Sequence, residues 1–248
     1  MGFFTRLPAG GSAGIDELRA AFPLVPLVGW VTGVAGGVFA LGLIEILPPL
    51  GAGAVLLAFL VGLTGLNQTD GLADLGDGLM VHGDAERRRE VMRDHSLGTG
   101  ALGLTLFTYL AAFAVLGSVL SLAQREAAVW LIACIVLIEV IARIPYLLLA
   151  FFGHPSHSGL GSTFMEGFSR RHLAVGLLVA SPAAAGFLVG WAPVLLAGVG
   201  GLLVAVVLLR FSARLLGGVG GDVMGASQEL ARTAAALGLA AGLQMASW

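Results

Sequence analysis

The sequence predicts an all-α, polytopic integral membrane helix bundle with about seven transmembrane helices, within a range of six to eight. Apolar residues make up 57% of the 248-residue chain, whereas charged residues make up only 11%. A soluble domain typically carries about 25% charged residues. The mean hydropathy is also strongly positive, at +0.94. Lipid must therefore cover most of the outer surface.

Seven apolar stretches provide the predicted spans. A bilayer core requires about 20 mostly apolar residues per helix, and the second and last stretches are short by this measure. Glycine-rich segments at 33–37 and 198–201 fall within the spans and predict close packing between helices. The stretches are Leu24–Leu47, Gly51–Leu66, Thr99–Leu122, Ala127–Phe152, Leu173–Gly190, Pro193–Leu209 and Thr233–Trp248.

The distribution of arginine predicts the orientation. The positive-inside rule places the amino terminus and the segments 67–98, 153–172 and 210–232 in the cytoplasm, as expected for a multi-pass protein of the cell (inner) membrane. No basic run resembles a nucleic-acid-binding patch, so no nucleic-acid partner is expected. Arg125 alone falls on the opposite side. The cytoplasmic set is Arg6, Arg19, Arg87, Arg88, Arg89, Arg93, Arg170, Arg171, Arg210, Arg214 and Arg232.

Three aspartates follow the second apolar stretch, in the segment NQTDGLADLGDG at 67–78. On a helix, Asp70, Asp74 and Asp77 lie at i, i+4 and i+7, within about 60° of one another on one face. Carboxylates so close repel one another unless a cation lies between them. Mg²⁺ prefers carboxylate oxygens and commonly bridges to substrate phosphates. We therefore predict that these aspartates bind a metal against a phosphate, the alternative being a solvated acidic loop.

A second polar segment, ERRREVMRDHSLGTG at 86–100, contains a run of arginines. Arg93, Asp94 and His95 are expected at the membrane edge, where the forked guanidinium donors of Arg93 suit a phosphate. Asp94 could be another metal ligand or a base. For the run at 87–89, a cytoplasmic topology signal is the favoured interpretation.

Two further segments are rich in glycine. In HPSHSGLGSTF at 154–164, His154 and His157 lack a third ligand for zinc, so a loop whose backbone amides bind an anion is favoured. In GGVGGDVMGA at 217–226, glycines could let the backbone approach a phosphate, with Asp222 as a further ligand. A flexible turn at the membrane edge is an equal alternative for the second segment.

Charged residues inside the predicted spans are costly and tend to be paired or functional. Glu139 and Arg143 are separated by four residues, so a structural ion pair on one helix is predicted. Glu45 lies near the end of a span and is expected to reach the interface.

Together these motifs resemble the cobalamin synthase family, the adenosylcobinamide-GDP ribazoletransferases, along nearly the whole chain. Four short motifs in the expected order make the resemblance specific, although family members often have histidine at the position of Gln68 and lysine at that of Arg93. The matching segments are FTRLP (4–8), FPLV (22–25), LVG (27–29), DGLADLGDG (70–78), MRD (92–94) with GT (98–99), GLG (159–161) with Phe164, and GDVMGA (221–226) with Glu229.

The resemblance implies a single transmembrane catalytic domain, residues 1–248, acting late in cobalamin (vitamin B12) biosynthesis. It would join α-ribazole, or α-ribazole 5′-phosphate, to adenosylcobinamide-GDP and release GMP, with Mg²⁺ as cofactor and an active site on the cytoplasmic face. Glycine-rich spans would also allow a homo-oligomer. The implied catalytic residues are Asp70, Asp74 and Asp94, the metal ligands are Asp70, Asp74 and Asp77, and the substrate-binding residues are Arg93, Gly159, Gly161, Gly221 and Asp222.

Two alternatives come from other classes. A CDP-alcohol phosphotransferase also uses clustered aspartates and Mg²⁺ at a membrane face, but its signature has arginine after the alanine, where this chain has Asp74 after Ala73. A secondary transporter would place its polar residues near the bilayer midplane, at interrupted helices. This chain places most of its acids in predicted cytoplasmic loops, which favours the enzyme.

Overall fold

The structure is a computed structural model that describes residues 4–6, 14–94, 96–123, 126–181 and 189–246. In these ranges the only strand-like pairing is an isolated parallel bridge between Pro155 and Val219. A 3₁₀ turn spans Phe22–Leu24, and a π-helical turn spans Ser212–Leu216. The described α-helices are α1 (Ile15–Ala21), α2 (Val25–Ile46), α3 (Pro49–Thr64), α4 (Asn67–Met80), α5 (Ala85–Met92), α6 (Thr99–Ala123), α7 (Ala128–Ile141), α8 (Ile144–Phe152), α9 (Leu160–Met165), α10 (Arg170–Ala180), α11 (Trp191–Phe211) and α12 (Gly221–Ala246).

Fewer helices than predicted qualify as membrane spans. Among the described residues, four segments are long and apolar enough to cross a membrane: Ile15–Ile46, Thr99–Leu122, Ala128–Phe152 and Trp191–Leu216. A fifth qualifies only if α3 and α4, which meet at an angle of 98°, count as one broken span. An all-α membrane bundle is thus confirmed, whereas the count of seven is not reached in this part of the chain.

The two remaining predicted spans differ from expectation in different ways. The stretch Leu173–Gly190 begins within α10 (Arg170–Ala180), and residues 182–188 lie outside the described ranges. The stretch Thr233–Trp248 is only the second half of α12, which begins at Gly221 and has 26 residues. At a rise of about 1.5 Å per residue, α12 is long enough to cross a bilayer, but its first half is polar.

Large apolar side chains cover the outside of the bundle. Helices α2, α6 and α11 expose valine, leucine and phenylalanine along faces that no other described helix covers. In water such a surface would be unfavourable, whereas lipid tails solvate it. Examples are Val34 and Val38 on α2, Leu106, Phe107 and Leu110 on α6, and Leu195, Leu202, Leu203 and Val207 on α11.

Helix α2 packs closely against α7 through a row of glycines. A methyl group built on Gly33 would lie 2.6 Å from the Cα of Val136, and one on Gly37 would lie 2.8 Å from the Cα of Ile132. Only glycine allows backbones to approach so closely, which is a common means of helix association in membranes. The packing role predicted for the segment 33–37 is therefore confirmed.

A buried ion cluster joins α2, α7 and α12 in the centre of the bundle. Arg143 donates to Glu139 at 2.5 Å, which confirms the predicted pair, and Thr32 donates to the same carboxylate at 2.9 Å. Arg232 of α12 donates from Nε to Glu139 Oε1 at 2.6 Å and also binds Glu229. The arginine side chains are at most 1% exposed, so they are desolvated and need these carboxylates as partners.

The position of Arg232 corrects one sequence prediction. Its charge was expected in the cytoplasmic segment 210–232, but the residue lies on α12, 1% exposed. The prediction was wrong because α12 begins at Gly221 rather than at Thr233, so the residues before the apolar stretch are already part of the packed helix.

Candidate active site

Helix α4 carries the three predicted metal-binding aspartates on one face. The chain turns by 98° between α3 and α4 at Gly65, whose φ of +72° favours glycine. The opposite face of α4 presents Leu72 and Leu75, which are 0% and 2% exposed and belong to an apolar cluster. This burial fixes the rotation of α4, so Asp70, Asp74 and Asp77 must face away from the core as the helical spacing predicted.

Helix α4 lies across the amino-terminal ends of α6 and α12. A methyl group on Gly71 would lie 2.7 Å from the Asp222 carbonyl oxygen, at the start of α12. A methyl group on Gly76 would lie 2.8 Å from the Gly100 carbonyl carbon, at the start of α6. Because these close approaches involve helix starts, α4 lies at the edge of the bundle rather than along a span.

Asp77 caps helix α6. Its Oδ2 accepts a hydrogen bond from the Gly98 amide at 2.8 Å, and its Oδ1 accepts one from the Ala101 amide, also at 2.8 Å. The first amides of a helix lack intrahelical partners, and a carboxylate there also opposes the positive end of the helix dipole. Asp77 thus has a defined structural role, and its metal-binding role stays a prediction.

A polar cavity of about 360 Å³ brings the predicted residues of three segments together. Asp70, Asp74 and Asp77 enter it from α4, Arg93 and Asp94 follow α5, and Asp222 comes from the first turn of α12. The structure therefore brings residues of these three segments together, whereas the segment at 154–164 contributes none of the lining residues. The remaining lining residues are Ala73, Met92, Ser96, Leu97 and Ala101.

Negative charge in this acidic cavity is not fully balanced. The pKa of Asp74 is raised to about 7 by partial burial and by the charges of Asp222, Asp70 and Asp77. Burial also raises the pKa of Asp222, with a further contribution from Asp70, although His157 and Arg93 oppose it. Carboxylates that resist ionisation in this way would be stabilised by a cation among them. The donor set therefore fits Mg²⁺, which takes oxygen ligands.

The aspartates are not already arranged as a closed metal centre. Among the residues that the structure describes, no group of three or more histidine, cysteine, aspartate or glutamate side chains converges at metal-binding distances. Mg²⁺ usually keeps several waters and shares its remaining positions between one or two carboxylates and substrate phosphates. Such a site needs fewer protein ligands than a closed cage.

Helix α5 places arginines beside the acidic cavity. Arg88 donates to the carbonyl oxygen of Gly78 at 2.8 Å, and Arg89 donates to that of Leu216 at 2.5 Å. These hydrogen bonds hold α5 against the end of α4 and the π-helical turn, a function that a topology signal alone would not require. A neighbouring cavity of about 540 Å³ shares Arg93 with the acidic cavity, and its lining residues are Asp84, Glu86, Arg87, Arg89, Glu90, Arg93 and His157.

The predicted substrate-binding glycines have different surroundings. The Gly159 amide donates to Ser162 Oγ at 2.9 Å, which occupies the donor proposed for an anion. A methyl group on Gly161 would lie 2.8 Å from the Gly221 nitrogen, so Gly161 allows α9 to pack against α12. Neither Gly159 nor Gly161 lines the acidic cavity, whereas Gly221 lines a smaller cavity beside it.

Sequence reasoning missed the buried polar residues that begin α4. Gln68 is 3% exposed, and Thr69 Oγ1 lies 2.6 Å from the hydroxyl of Tyr109 on α6. A polar pair of residues preceding an acidic motif looks like part of the same solvated segment, so the sequence gives no sign of their burial. His95, predicted to stand at the membrane edge, lies outside the described residues.

The fold and the cavity together define a class: polytopic helical membrane proteins whose carboxylates and arginine converge at the bundle edge, a donor set suited to phosphate chemistry. Within that class, the family model for cobalamin-5-phosphate synthase matches residues 1–240. The chain belongs to this family and is an enzyme of cobalamin biosynthesis.

Curated relatives named adenosylcobinamide-GDP ribazoletransferase are similar over most of the chain. The protein of Halorubrum lacusprofundi is 38% identical, with 95% of this chain and 92% of the relative covered. That of Thermococcus kodakarensis is 36% identical, with 93% and 91% covered, and that of Methanosarcina barkeri is 33% identical, with 98% and 91% covered. No solved structure matches the chain.

Proposed function

We propose that this protein joins α-ribazole, or α-ribazole 5′-phosphate, to the cobinamide phosphate of adenosylcobinamide-GDP and releases GMP, in a Mg²⁺-dependent reaction. The observation that carries the proposal is the acidic cavity, where carboxylates from α4, the α5–α6 segment and α12 converge around unbalanced negative charge. The names of the relatives supply the substrates, and the cavity offers the groups that a diphosphate substrate requires.

The carboxylates most suited to Mg²⁺ are Asp70 and Asp74, with Asp222 facing them. Asp77 contributes charge to the same cavity while both its oxygens accept amide hydrogen bonds from α6. When bound, Mg²⁺ would neutralise charge on the diphosphate and on the departing GMP. Asp70, Asp74 and Asp77 would keep the metal charge in one place, because the buried leucines of α4 fix the rotation of the helix that carries them.

Arg93, Asp94 and Asp222 act on the substrates directly. The guanidinium of Arg93 binds a phosphate oxygen. The ribazole hydroxyl oxygen forms a bond to the phosphorus of the cobinamide phosphate as the bond from that phosphorus to the bridging oxygen breaks. GMP leaves with that oxygen and its electron pair. The hydroxyl proton passes to Asp94 or Asp222, which both line the cavity.

We place this active site on the cytoplasmic face of the cell (inner) membrane. The arginines of α5 border the acidic cavity, and the positive-inside rule assigns that side to the cytoplasm. The amino-terminal segment belongs to the same side, since the Arg6 amide donates to the Leu63 carbonyl oxygen at 2.8 Å, next to the bend before α4. A homo-oligomer within the bilayer stays a prediction.

The test is a turnover assay on purified protein in detergent, with adenosylcobinamide-GDP and α-ribazole or its phosphate. We expect GMP and a cobalamin product to form with Mg²⁺ and not with EDTA, and Asp74→Asn to abolish both. Turnover in Asp74→Asn with unchanged Mg²⁺ dependence would overturn the metal assignment. Absence of product from folded wild-type protein would overturn the proposed reaction and favour CDP-alcohol substrates.

A further inference from the structure

A second cavity adjoins the acidic cavity and differs from it in character. It has a volume of about 230 Å³, and Asp70 and Asp222 line both cavities. Since a water molecule takes about 30 Å³ of liquid volume, the space accommodates a small planar ring system but not a corrin. Its other lining residues are Phe4, Asn67, Gln68, Tyr146, Leu160, Phe164, Gly221, Met224 and Gly225.

Aromatic rings form one wall of this second cavity. Phe4, Tyr146 and Phe164 line the cavity, and Phe4 lies 6.2 Å from Phe164 and 5.7 Å from Tyr146. Phe22 does not line the cavity but stacks on Phe164, with ring centroids 4.4 Å apart. The four rings are at most 6% exposed, so their orientations are fixed by packing. Such a wall suits a planar base, because stacking on aromatic side chains contributes about 1–3 kcal/mol per base.

Gln68 lines the same cavity and has an unused hydrogen-bond acceptor. The residue is 3% exposed, and its Oε1 has no hydrogen-bond partner among the residues that the structure describes, although the side chain also hydrogen-bonds the Tyr146 hydroxyl. Buried polar atoms are almost always paired. Because Gln68 lines the cavity, a donor that arrives with a ligand there would give this acceptor a partner.

We propose, building on the proposed function, that this cavity binds the guanine base of the GDP moiety, with Gln68 Oε1 accepting a hydrogen bond from the N–H edge of the base. Guanine carries donors at N1 and at the 2-amino group. The N-glycosylated benzimidazole of α-ribazole has no N–H donor and would leave Gln68 unpaired. With the base in this cavity, the shared wall of Asp70 and Asp222 places the attached diphosphate in the acidic cavity.

The test compares the binding of GMP and AMP to purified protein in detergent with Mg²⁺, by isothermal titration calorimetry. AMP presents an acceptor at N1 and no 2-amino group, and its one amino group lies on C6, where guanine has a carbonyl oxygen. We expect the wild type to prefer GMP by at least about tenfold, and Gln68→Leu to weaken GMP binding by about tenfold to a hundredfold with little effect on AMP. An unchanged GMP preference in Gln68→Leu would overturn the proposal.

Two further variants complete the design. Gln244→Leu makes the same chemical change at an exposed position near the other end of α12, and it should keep the wild-type preference. Leu160→Trp fills the cavity from a side chain that is 45% exposed, so it tests the site even if Gln68→Leu does not fold. It should abolish GMP binding, and normal binding by folded Leu160→Trp would overturn the proposal.

The base site and the proposed reaction can fail separately. If the wild type releases GMP from adenosylcobinamide-GDP but Gln68→Leu keeps its GMP preference, the base site is wrong and the reaction stands. If the wild type shows no turnover but Gln68→Leu loses the GMP preference, the base site stands and the reaction is wrong.

Discussion

The guanidinium of Arg232 donates from Nε to the carboxylate of Glu139 at 2.6 Å, although 93 residues separate them in the chain. The same guanidinium binds Glu229 one turn earlier on α12. The pair connects α7 to α12, and α12 also packs on α4, which holds the aspartates. The central ion cluster therefore helps to hold the helix against which the active site is built.

We predict that Arg232→Met destabilises the protein by about 3–5 kcal/mol, because it leaves Glu139 and Glu229 buried with Arg143 as their one remaining arginine partner among the described residues. The measurement is the free energy of unfolding in a detergent–denaturant titration. Glu45→Gln is the control, since Glu45 is exposed at the end of α2, and it should change stability by no more than about 0.5 kcal/mol. A loss for Arg232→Met as small as that of Glu45→Gln would contradict the role of the cluster.

The sequence predicted one half of this cluster. Because Glu139 and Arg143 are four residues apart, any helix places them side by side, so this pair could be predicted from the sequence. The partnership with Arg232 depends on how α7 and α12 meet, for which the sequence offers no local signal. The start of α12 could not be predicted from the apolar pattern, because the first half of this helix is polar and is covered by other helices rather than by lipid.

We predict that Asp77→Ala lowers stability by about 1–2 kcal/mol, because the start of α6 loses the two hydrogen bonds that cap it. Asp74→Asn should abolish turnover without lowering stability, because it removes a charge that Asp222, Asp70 and Asp77 repel. The measurements are thermal unfolding and GMP release on both variants. Thermal unfolding reports the loss of the helix cap, and GMP release reports the loss of catalysis. If Asp77→Ala is as stable as the wild type, the cap contributes nothing.

We predict that Gly76→Ala disturbs the site although it carries no functional group. The added methyl group would lie 2.8 Å from the Gly100 carbonyl carbon and 3.1 Å from the Cα of Ala101, and backbone atoms cannot rotate away. Overpacking of this kind costs about 1–3 kcal/mol, and the resulting shift of α4 should displace the aspartates and reduce turnover. Gly103→Ala on α6, where a methyl group meets no described atom within 4 Å, should leave turnover unchanged and should not lower stability, because alanine is the better helix former.

The charged residues of the candidate site could be predicted from the sequence, whereas the residues that pack around them could not. Asp70, Asp74 and Asp77 lie on one face of any helix because of their spacing. The order of the motifs along the chain then led to the prediction that Asp94 and Asp222 belong to the same site. The role of Gly161 in packing α9 against α12 could not be read from the sequence, because glycine at a phosphate and glycine at a helix contact look the same. The burial of Gln68 depends on the fold of α4 against α12.

We predict that the contribution of Asp74 to the stability of the metal-free protein falls as pH rises from about 4 to about 7. In the unfolded chain Asp74 titrates near its ordinary pKa of 3.8, whereas in the folded protein its pKa is about 7. Between these values the folded state keeps a proton that the unfolded state has released, so stability decreases with pH and levels off above about pH 7. The raised pKa of Asp222 acts in the same direction.

The measurement is the thermal unfolding midpoint in EDTA and in Mg²⁺, between about pH 5 and pH 8. Mg²⁺ should raise the midpoint more at pH 8 than at pH 5, because ionised carboxylates bind it and only the folded state brings them together. Asp74→Asn should flatten the pH dependence in EDTA. Asp16→Asn, which changes a side chain that is 85% exposed, should reproduce the wild-type curve. If the unfolding midpoint depends on pH in the same way for the wild type and Asp74→Asn, the pKa of Asp74 is not the cause of the pH dependence, and the prediction is wrong.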